Sequence, residues 1–291
     1  MKKLLSKISV FALAVITAFA FVSCGGDGTE QEIEKEAAYE GIGAAIESVL
    51  TDLNQISITL SGSANVTKDE TAESTSEDVV EEGTYTVTAA AAVITDEGRN
   101  VQSASLSVYL SNGGEKPLQL ELYVKDGYNY AYTNLFGDSY SYKEYDEEPL
   151  VISEEDKGKL KDIIAQVRDN FPEPKAVQKG DMTTITWTIT NENKKDYAKA
   201  VATISGENFN EEEVNKTLDE IDVENGEVVL VIKEGKITHL RIALKGSGKG
   251  VKVDANLSAE ISYTSVSPVF DEERLNEIKT RANGNDATQN S

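Results

Sequence analysis

Few side chains of this 291-residue chain combine a reactive group with neighbours at a spacing that would support catalysis. His239 is the only histidine, and it stands in an alternating apolar pattern that predicts a β-strand. A half-exposed histidine on a strand usually has no catalytic role. One histidine and one cysteine also leave too few ligands for a zinc site. We therefore expect no catalytic residues, no metal site and no cofactor, and a protein that is not an enzyme.

The segment 246–250, Gly-Ser-Gly-Lys-Gly, has the glycines and the lysine of a phosphate-binding loop. It lacks the first glycine of that loop and the hydroxyl residue that follows the lysine. It also separates two predicted strands. We interpret it as a hairpin turn.

The only cysteine, Cys24, stands at the end of a segment typical of exported proteins. Lysines at positions 2, 3 and 7 precede an apolar run of 15 residues, from 8 to 22, which is too short to span a bilayer comfortably. The sequence Phe-Val-Ser-Cys-Gly-Gly at 21–26 resembles the lipobox of bacterial lipoproteins, although leucine is usual where Phe21 stands. The alternative is an ordinary signal peptide with a chance cysteine.

The lipobox resemblance implies a signal peptide of residues 1–23, acyl chains on Cys24 and attachment to the extracytoplasmic face of the cell membrane. Two acyl chains anchor a protein stably where one does not. Gly25, rather than aspartate, follows the cysteine. That residue fits outer-membrane sorting in a Gram-negative cell and has no such meaning in a Gram-positive one.

The composition is strongly acidic. The chain has 28 basic and 51 acidic residues, and loss of the three lysines in residues 1–23 gives a mature net charge of −26. Such a chain is repelled by nucleic acid and by anionic head groups, so we expect no nucleic-acid binding and membrane attachment through acyl chains alone. The acidic run 68–82 is interpreted as a solvated loop, with a cation site as the alternative.

From residue 56 onward, apolar residues recur at every second position, which is typical of strands with one buried face. Short spacing between the rows indicates antiparallel neighbours joined as a meander. We expect the apolar rows to face a dry interior. The rows of interest contain Leu106 and Val108, Leu120 and Leu122, and Val253, Ala255 and Leu257.

Apolar stripes at spacings of three and four predict helices over 42–53 and 157–171, and the charged residues 194–220 predict one or two more. The predicted order is helix, about six strands, helix, strand, helices and about three strands. No linker interrupts it, so we expect one α+β domain with a large antiparallel sheet. The expected divisions are a flexible tether at 24–32, the domain at 33–270, and a short helix and disordered tail at 271–291.

Tyrosines are concentrated in one segment: seven of the twelve lie between 123 and 145. Period two places Tyr128, Tyr130 and Tyr132 on one face, and Tyr140 and Tyr142 share a face across a turn. One interpretation is cross-strand aromatic packing, which stabilises a sheet without a further role. The other is a wall of amphipathic rings beside an apolar ligand.

Several hairpin segments resemble one family of exported proteins. These are Tyr-Val-Lys-Asp-Gly-Tyr at 123–128, followed by Leu-Phe-Gly at 135–137 and Tyr-Lys at 142–143, and Ile-Lys-Glu-Gly-Lys-Ile at 232–237. They resemble lipoproteins with the fold of the outer-membrane lipoprotein carrier LolA, which include mycobacterial glycolipid carriers. The resemblance implies a curved antiparallel half-barrel with helices covering its concave face, and a cavity that holds acyl chains.

Two hypotheses about function follow. The first is a lipid-anchored protein that binds a lipid or another apolar ligand between sheet and helices. The second is a structural or interaction lipoprotein whose core is filled by its own side chains. The candidate ligand-binding residues are Leu106, Val108, Leu120, Leu122, Tyr128, Tyr130, Tyr132, Val253, Ala255 and Leu257.

The lipobox can be tested by replacing its cysteine. We expect Cys24→Ser to release the protein into the soluble exported fraction, or to leave it unprocessed, because the thiol is the only acceptor for the anchor. Fractionation with metabolic labelling by an acyl probe measures both outcomes. A variant that stays in the membrane and is cleaved normally would show that Cys24 is not lipidated.

Overall fold

The computed structural model describes most of the chain from residue 30 onward. Cys24, most of the tether expected at 24–32 and most of the acidic run 68–82 lie outside the described residues. No helix within the described ranges is long and apolar enough to cross a membrane. Those ranges are 30–51, 54–68, 82–97, 100–112, 117–135, 137–145, 154–205, 211–248 and 250–288.

Helices and strands follow one another nearly as the sequence predicts. In chain order they are β1 (Gln31–Glu32), α1 (Lys35–Thr51), β2 (Gln55–Lys68), β3 (Gly83–Thr95), β4 (Val101–Ser111), β5 (Leu118–Lys125), β6 (Tyr128–Thr133), β7 (Ser139–Glu144), α2 (Glu154–Asn170), β8 (Lys175–Lys179), β9 (Met182–Ile189), α3 (Lys194–Ser205), α4 (Glu211–Asp219), β10 (Ile221–Lys233), β11 (Lys236–Gly248), β12 (Val251–Ser262) and α5 (Glu272–Thr288).

Three elements differ from the prediction. β8 was not predicted, because it holds only two apolar residues between its lysines. β1, inside the expected tether, pairs antiparallel with β8. α5 continues to Thr288, through residues that the composition alone suggests are disordered.

The strands form one large antiparallel sheet. Within the described ranges it has twelve strands, in the order β1-β8-β9-β10-β11-β12-β2-β3-β4-β5-β6-β7. The described residues divide into two compact units: unit 1 lies within 1–49, 64–82 and 154–260, and unit 2 lies within 50–63, 83–153 and 261–291.

In unit 1, α1 packs on one face of β9 and β10. The register pairs Ile185 with Leu230 and places Trp187 and Ile232 on the same face. Trp187 Nε1 donates a hydrogen bond to the Tyr39 hydroxyl of α1 at 3.2 Å. A Cβ on Gly41 would lie 3.9 Å from Ile232 Cδ1, so α1 approaches this strand closely. Tyr39 and Gly41 of α1 therefore lie against this face of the sheet.

The buried hydroxyl of Tyr197, on α3, makes no hydrogen bond within the part of the chain that the structure describes. The ring packs edge-on against Phe171 with centroids 5.5 Å apart, so the side chain contributes apolar contact. Burial raises the pKa of Tyr197 from its ordinary value of 10.0 to about 12. The residue adds to stability as a hydrophobic ring and not through its oxygen.

Glycines in the segment 246–250 have a steric role. A Cβ on Gly246 would lie 2.4 Å from the Asp222 carbonyl oxygen, and one on Gly248 would lie 2.6 Å from that of Glu220. Both glycines belong to the end of β11 and allow it to approach β10, while Gly250 has a φ of 76°. The hairpin interpretation is confirmed, and its turn is shorter than the five residues suggested.

Two further hairpins have tight turns with positive φ at both central residues. Asp126 and Gly127 have φ of 51° and 78°, and Glu234 and Gly235 have φ of 51° and 71°. This geometry matches the right-handed twist of paired strands and favours glycine at the second position. These turns fix the registers of β5 with β6 and of β10 with β11.

Replacing Tyr197 tests the unpaired hydroxyl. We expect Tyr197→Phe to leave the free energy of unfolding unchanged at neutral pH, or to raise it by up to about 1 kcal/mol, because a buried unsatisfied group is removed. Tyr39→Phe is the matched control, and we expect it to lose about 1 kcal/mol with the hydrogen bond from Trp187. Urea unfolding measures both values.

The Tyr197→Phe variant should also differ from the parent protein in how its stability changes at alkaline pH. Between pH 10 and 12 the unfolded chain loses the Tyr197 proton while the folded chain keeps it, so this group's contribution is full below pH 10 and declines as pH rises. Tyr197→Phe should therefore lose less stability over that interval than the parent. Identical alkaline slopes for the two proteins would contradict the assignment.

Candidate apolar binding face

Strands β3–β6 of unit 2 carry aliphatic side chains on one face. The registers place Ala91 opposite Leu106 and Leu106 opposite Leu122. They also align Ala89, Val108 and Leu120 across three strands. Here we call this surface the aliphatic face; its members are Val87, Ala89, Ala91, Val93, Ala104, Leu106, Val108, Leu110, Leu118, Leu120, Leu122, Val124 and Ala131.

On β4 and β5 the aliphatic face is not the buried face. Leu110 and Leu118 are 41% and 43% exposed. The other leucines and valines of this face on β4 and β5 are partly exposed: Leu106, Val108, Leu120, Leu122 and Val124. On the opposite face, by contrast, Glu121 and Tyr123 are buried. Leu106, Val108, Leu120 and Leu122, which we expected to face a dry interior, are partly exposed, and their contact with a ligand stays a prediction. An alternating pattern distinguishes two faces, but a helix far along the chain covers the more polar one.

That opposite surface, here called the tyrosine face, is built by residues aligned across β4–β7. Tyr130 pairs with Tyr123 on one side and with Tyr142 on the other, and Tyr132 pairs with Glu121 and Tyr140. The predicted sharing of a face by these tyrosines is confirmed. Its members are Ser105, Tyr109, Glu121, Tyr123, Tyr128, Tyr130, Tyr132, Tyr140 and Tyr142.

Ring contacts show how the tyrosines pack. The rings of Tyr128 and Tyr142 are stacked with centroids 4.9 Å apart, and those of Tyr132 and Tyr140 are tilted at 5.0 Å. Such cross-strand pairs stabilise a sheet by up to about 1 kcal/mol each. Because Tyr128, Tyr130 and Tyr132 lie opposite the aliphatic face, they and its leucines cannot contact a ligand from the same side.

α5 covers the tyrosine face. Its Leu275 and Ile278 form a buried cluster with Tyr123 and Tyr132. Phe270, just before the helix, packs against this cluster, as do the rings of Tyr130 and Tyr140. The Val269 backbone N–H donates to Ser105 Oγ at 3.2 Å, which ties the approach to the helix to β4.

A buried carboxylate lies at the centre of this interface. Glu121 is 3% exposed. Its Oε1 accepts a hydrogen bond from the Tyr109 hydroxyl at 3.1 Å, and its Oε2 accepts one from Arg274 Nε of α5 at 2.7 Å. Removing one partner of a buried ion pair costs about 3–5 kcal/mol, because the other charge is left uncompensated. The docked helix therefore supplies the cation that the buried carboxylate requires.

Neighbouring tyrosines respond to this environment. Burial, and then the negative charge of Glu121, raise the pKa of Tyr109 above its ordinary value. The same two causes, burial first, raise the pKa of Tyr123 further. Both hydroxyls therefore stay neutral over the physiological range, and Glu121 supplies the negative charge that Arg274 meets.

Cations of α5 lie over the tyrosine rings. The guanidinium carbon of Arg274 is 3.9 Å from the centroid of Tyr132, and that of Arg281 is 5.2 Å from Tyr140. Lys279 Nζ is 4.9 Å from the Tyr142 centroid. Exposed contacts of this kind contribute about 0.5–1 kcal/mol each. The tyrosine face is thus the surface on which α5 packs, and no sequence pattern indicated this.

Three of the candidate residues lie in unit 1. Val253, Ala255 and Leu257 of β12 pair with Gly246, Leu244 and Ile242 of β11, and all three are partly exposed. The candidates therefore fall into three groups: the aliphatic face, the tyrosine face and β12.

Sequence reasoning missed Glu121 and Arg274. The available signal was a glutamate between two leucines on a strand, with a tyrosine next to it on its own face, since a carboxylate buried there needs a cationic partner.

Comparisons with known proteins give little. No protein-family model matches this chain, and no curated protein matches it. Among solved structures, the ywiB protein from Bacillus subtilis matches with a TM-score of 0.19 and 8% identity, covering 72% of this chain and 94% of that one. A beta-barrel-like protein of a domain of unknown function, DUF1849, from Brucella abortus matches with a TM-score of 0.16 and 7% identity, covering 71% and 98%. At these TM-scores no conclusion about function follows.

Two aliphatic truncations test which face is buried. Ile278 of α5 is fully buried, so we expect Ile278→Ala to lower the free energy of unfolding by about 2–5 kcal/mol. Leu118→Ala removes an aliphatic side chain from the aliphatic face, and we expect a loss below about 1 kcal/mol because Leu118 is already 43% exposed. Urea unfolding compares them. Equal losses would mean that the aliphatic face is buried after all.

Proposed function

We propose that the mature protein is a lipid-anchored extracytoplasmic lipoprotein that binds an acyl chain of a lipid on the aliphatic face of β3–β6. The proposal rests on one observation: this surface is aliphatic and partly exposed. Among the described residues of unit 2, the helix α5 packs on the opposite side of the same strands. The acylated Cys24 would hold the face near its ligand at the membrane.

The chemistry of the face suits a hydrocarbon chain. Its rows on β3, β4 and β5, from Val87 to Val93, Ala104 to Leu110 and Leu118 to Val124, contain no charged or hydrogen-bonding side chain. Contiguous exposed apolar surface of this kind marks binding sites on soluble domains. Burying a methylene contributes about 0.8 kcal/mol, so eight methylenes would contribute about 6 kcal/mol before the costs of association.

The same proposal includes the curvature of the sheet. We take the sheet to be curved, as in carriers with the LolA fold, so that the aliphatic face is concave. The two hairpin segments that carry this resemblance, around Gly127 and Gly235, both form tight turns with positive φ, which promote strand twist.

A second candidate is a structural lipoprotein with a filled core. α1 supports it, because Tyr39 and Gly41 lie directly on Trp187 and Ile232 in unit 1 and leave that sheet face covered. On this hypothesis the aliphatic face would contact protein or membrane rather than a bound lipid.

Photo-crosslinking in cells can distinguish these functions. The full lipidated chain is produced with a fatty acid that carries a diazirine in its acyl chain, irradiated and purified, and crosslinked peptides are mapped by mass spectrometry. We expect crosslinks on β3–β5. Leu118→Glu should lower their yield about tenfold, because a charge would be buried against hydrocarbon.

Thr88→Glu is the matched control. Thr88 is exposed on β3 and pairs with Tyr109, so it lies on the other side of the sheet from Leu118. We expect it to leave the yield unchanged. Equal yields in both variants, or crosslinks confined to other segments, would favour the structural function.

A further inference from the structure

Strands β4–β6 offer α5 two faces on which to dock. The buried stripe of the helix, Leu275, Ile278 and Ala282, is apolar and could pack against either one. Hydrophobic attraction is non-directional, and the aliphatic face is the more apolar of the two. α5 nevertheless lies on the tyrosine face. A directional interaction must therefore select the face.

The pair Glu121 and Arg274 has the required geometry. Glu121 is buried and points from β5 to the tyrosine side, and Arg274 Nε meets its Oε2 at 2.7 Å. The other carboxylate oxygen accepts a hydrogen bond from the Tyr109 hydroxyl. Among the described residues, Arg274 is therefore the cation that pairs with Glu121. If α5 packed on the aliphatic face, Glu121 and Arg274 would each be without the other as a partner.

Arg274 is held from three directions, so it fixes more than the choice of face. Its Nη1 donates to Glu277 Oε2 on the same helix at 2.6 Å, and its guanidinium carbon lies 3.9 Å from the Tyr132 ring centroid. A planar guanidinium with several oriented donors restricts the rotation of the helix that carries it. Lys279 and Arg281 then fall over Tyr142 and Tyr140.

We infer that the Glu121–Arg274 ion pair is a positioning device that holds α5 on the tyrosine face and so keeps the aliphatic face free for its ligand. The second half of this inference rests on the proposed function. Specifying one arrangement among alternatives is the best attested role of a buried ionic group, whose net contribution to stability is often small.

Hydrogen exchange on the full lipidated chain in detergent tests the positioning. We expect Arg274→Met to speed exchange of the α5 amides over residues 275–282 at least about tenfold, because Glu121 would remain buried without its cation. The control is Glu272→Gln, which removes the pairing of this α5 glutamate with Lys125. That pair is largely exposed on the glutamate side, so we expect a change below about twofold.

An apolar replacement of the pair tests the selection of a face. In Glu121→Leu/Arg274→Leu no buried charge remains, so α5 should stay protected from exchange. The helix is then free to dock on either side, and photo-crosslinking of acyl chains to β3–β5 should fall at least about twofold as the aliphatic face becomes shared.

The outcomes separate the two proposals. Unchanged α5 exchange in Arg274→Met would overturn the positioning role whatever the lipid result. Full α5 protection together with undiminished crosslinking in the double variant would show that the pair does not select the face. Absence of crosslinks in the parent protein would refute acyl binding, while the exchange rates would still decide how α5 is held.

Discussion

Burial of one carboxylate is the constraint on which the arrangement of unit 2 depends. Glu121 stands on β5 between two leucines that point the other way, and its 3% exposure makes an unpaired charge unsustainable. The cation comes from Arg274, which follows 153 residues later in the chain. The alternating pattern of one strand thus buries a carboxylate, and only a residue far away in the sequence supplies the cation that pairs with it.

Meeting that need has consequences across the sheet. With α5 placed by Arg274, its apolar residues reach Tyr123 and Tyr132, and its other cations reach rings on β7. Without α5 the tyrosines would form a solvent-exposed aromatic surface. With α5 in place they form the surface on which the helix packs. The leucines of β4 and β5 are left partly exposed on the other side. A surface of that kind is unusual for a protein without a ligand or partner, and it is the reason for proposing an acyl chain as its occupant.

Unit 1 solves the same problem in the more usual way. There α1 lies against one apolar face of β9 and β10, where Trp187 donates a hydrogen bond to Tyr39. The contrast shows why a strand row does not by itself indicate a binding site. Ile185 and Leu120 stand in similar alternating patterns, yet the first is fully buried and the second is partly exposed.

The sequence by itself determined most of the elements and much of their pairing. Period two located β2–β7, β9, β11 and β12, and spacings of three and four located α1 and α2, because these patterns reflect backbone geometry within one element. The glycine turns at 126–127 and 234–235 set hairpin registers for the same local reason. Only the tertiary structure decided which face of each strand is buried. Alternation makes two faces different, but which one is covered depends on where a distant helix finds both apolar contact and a partner for its charges. For β4 and β5 that choice was made by Glu121 and Arg274, and it is opposite to the choice that hydrophobicity alone predicts.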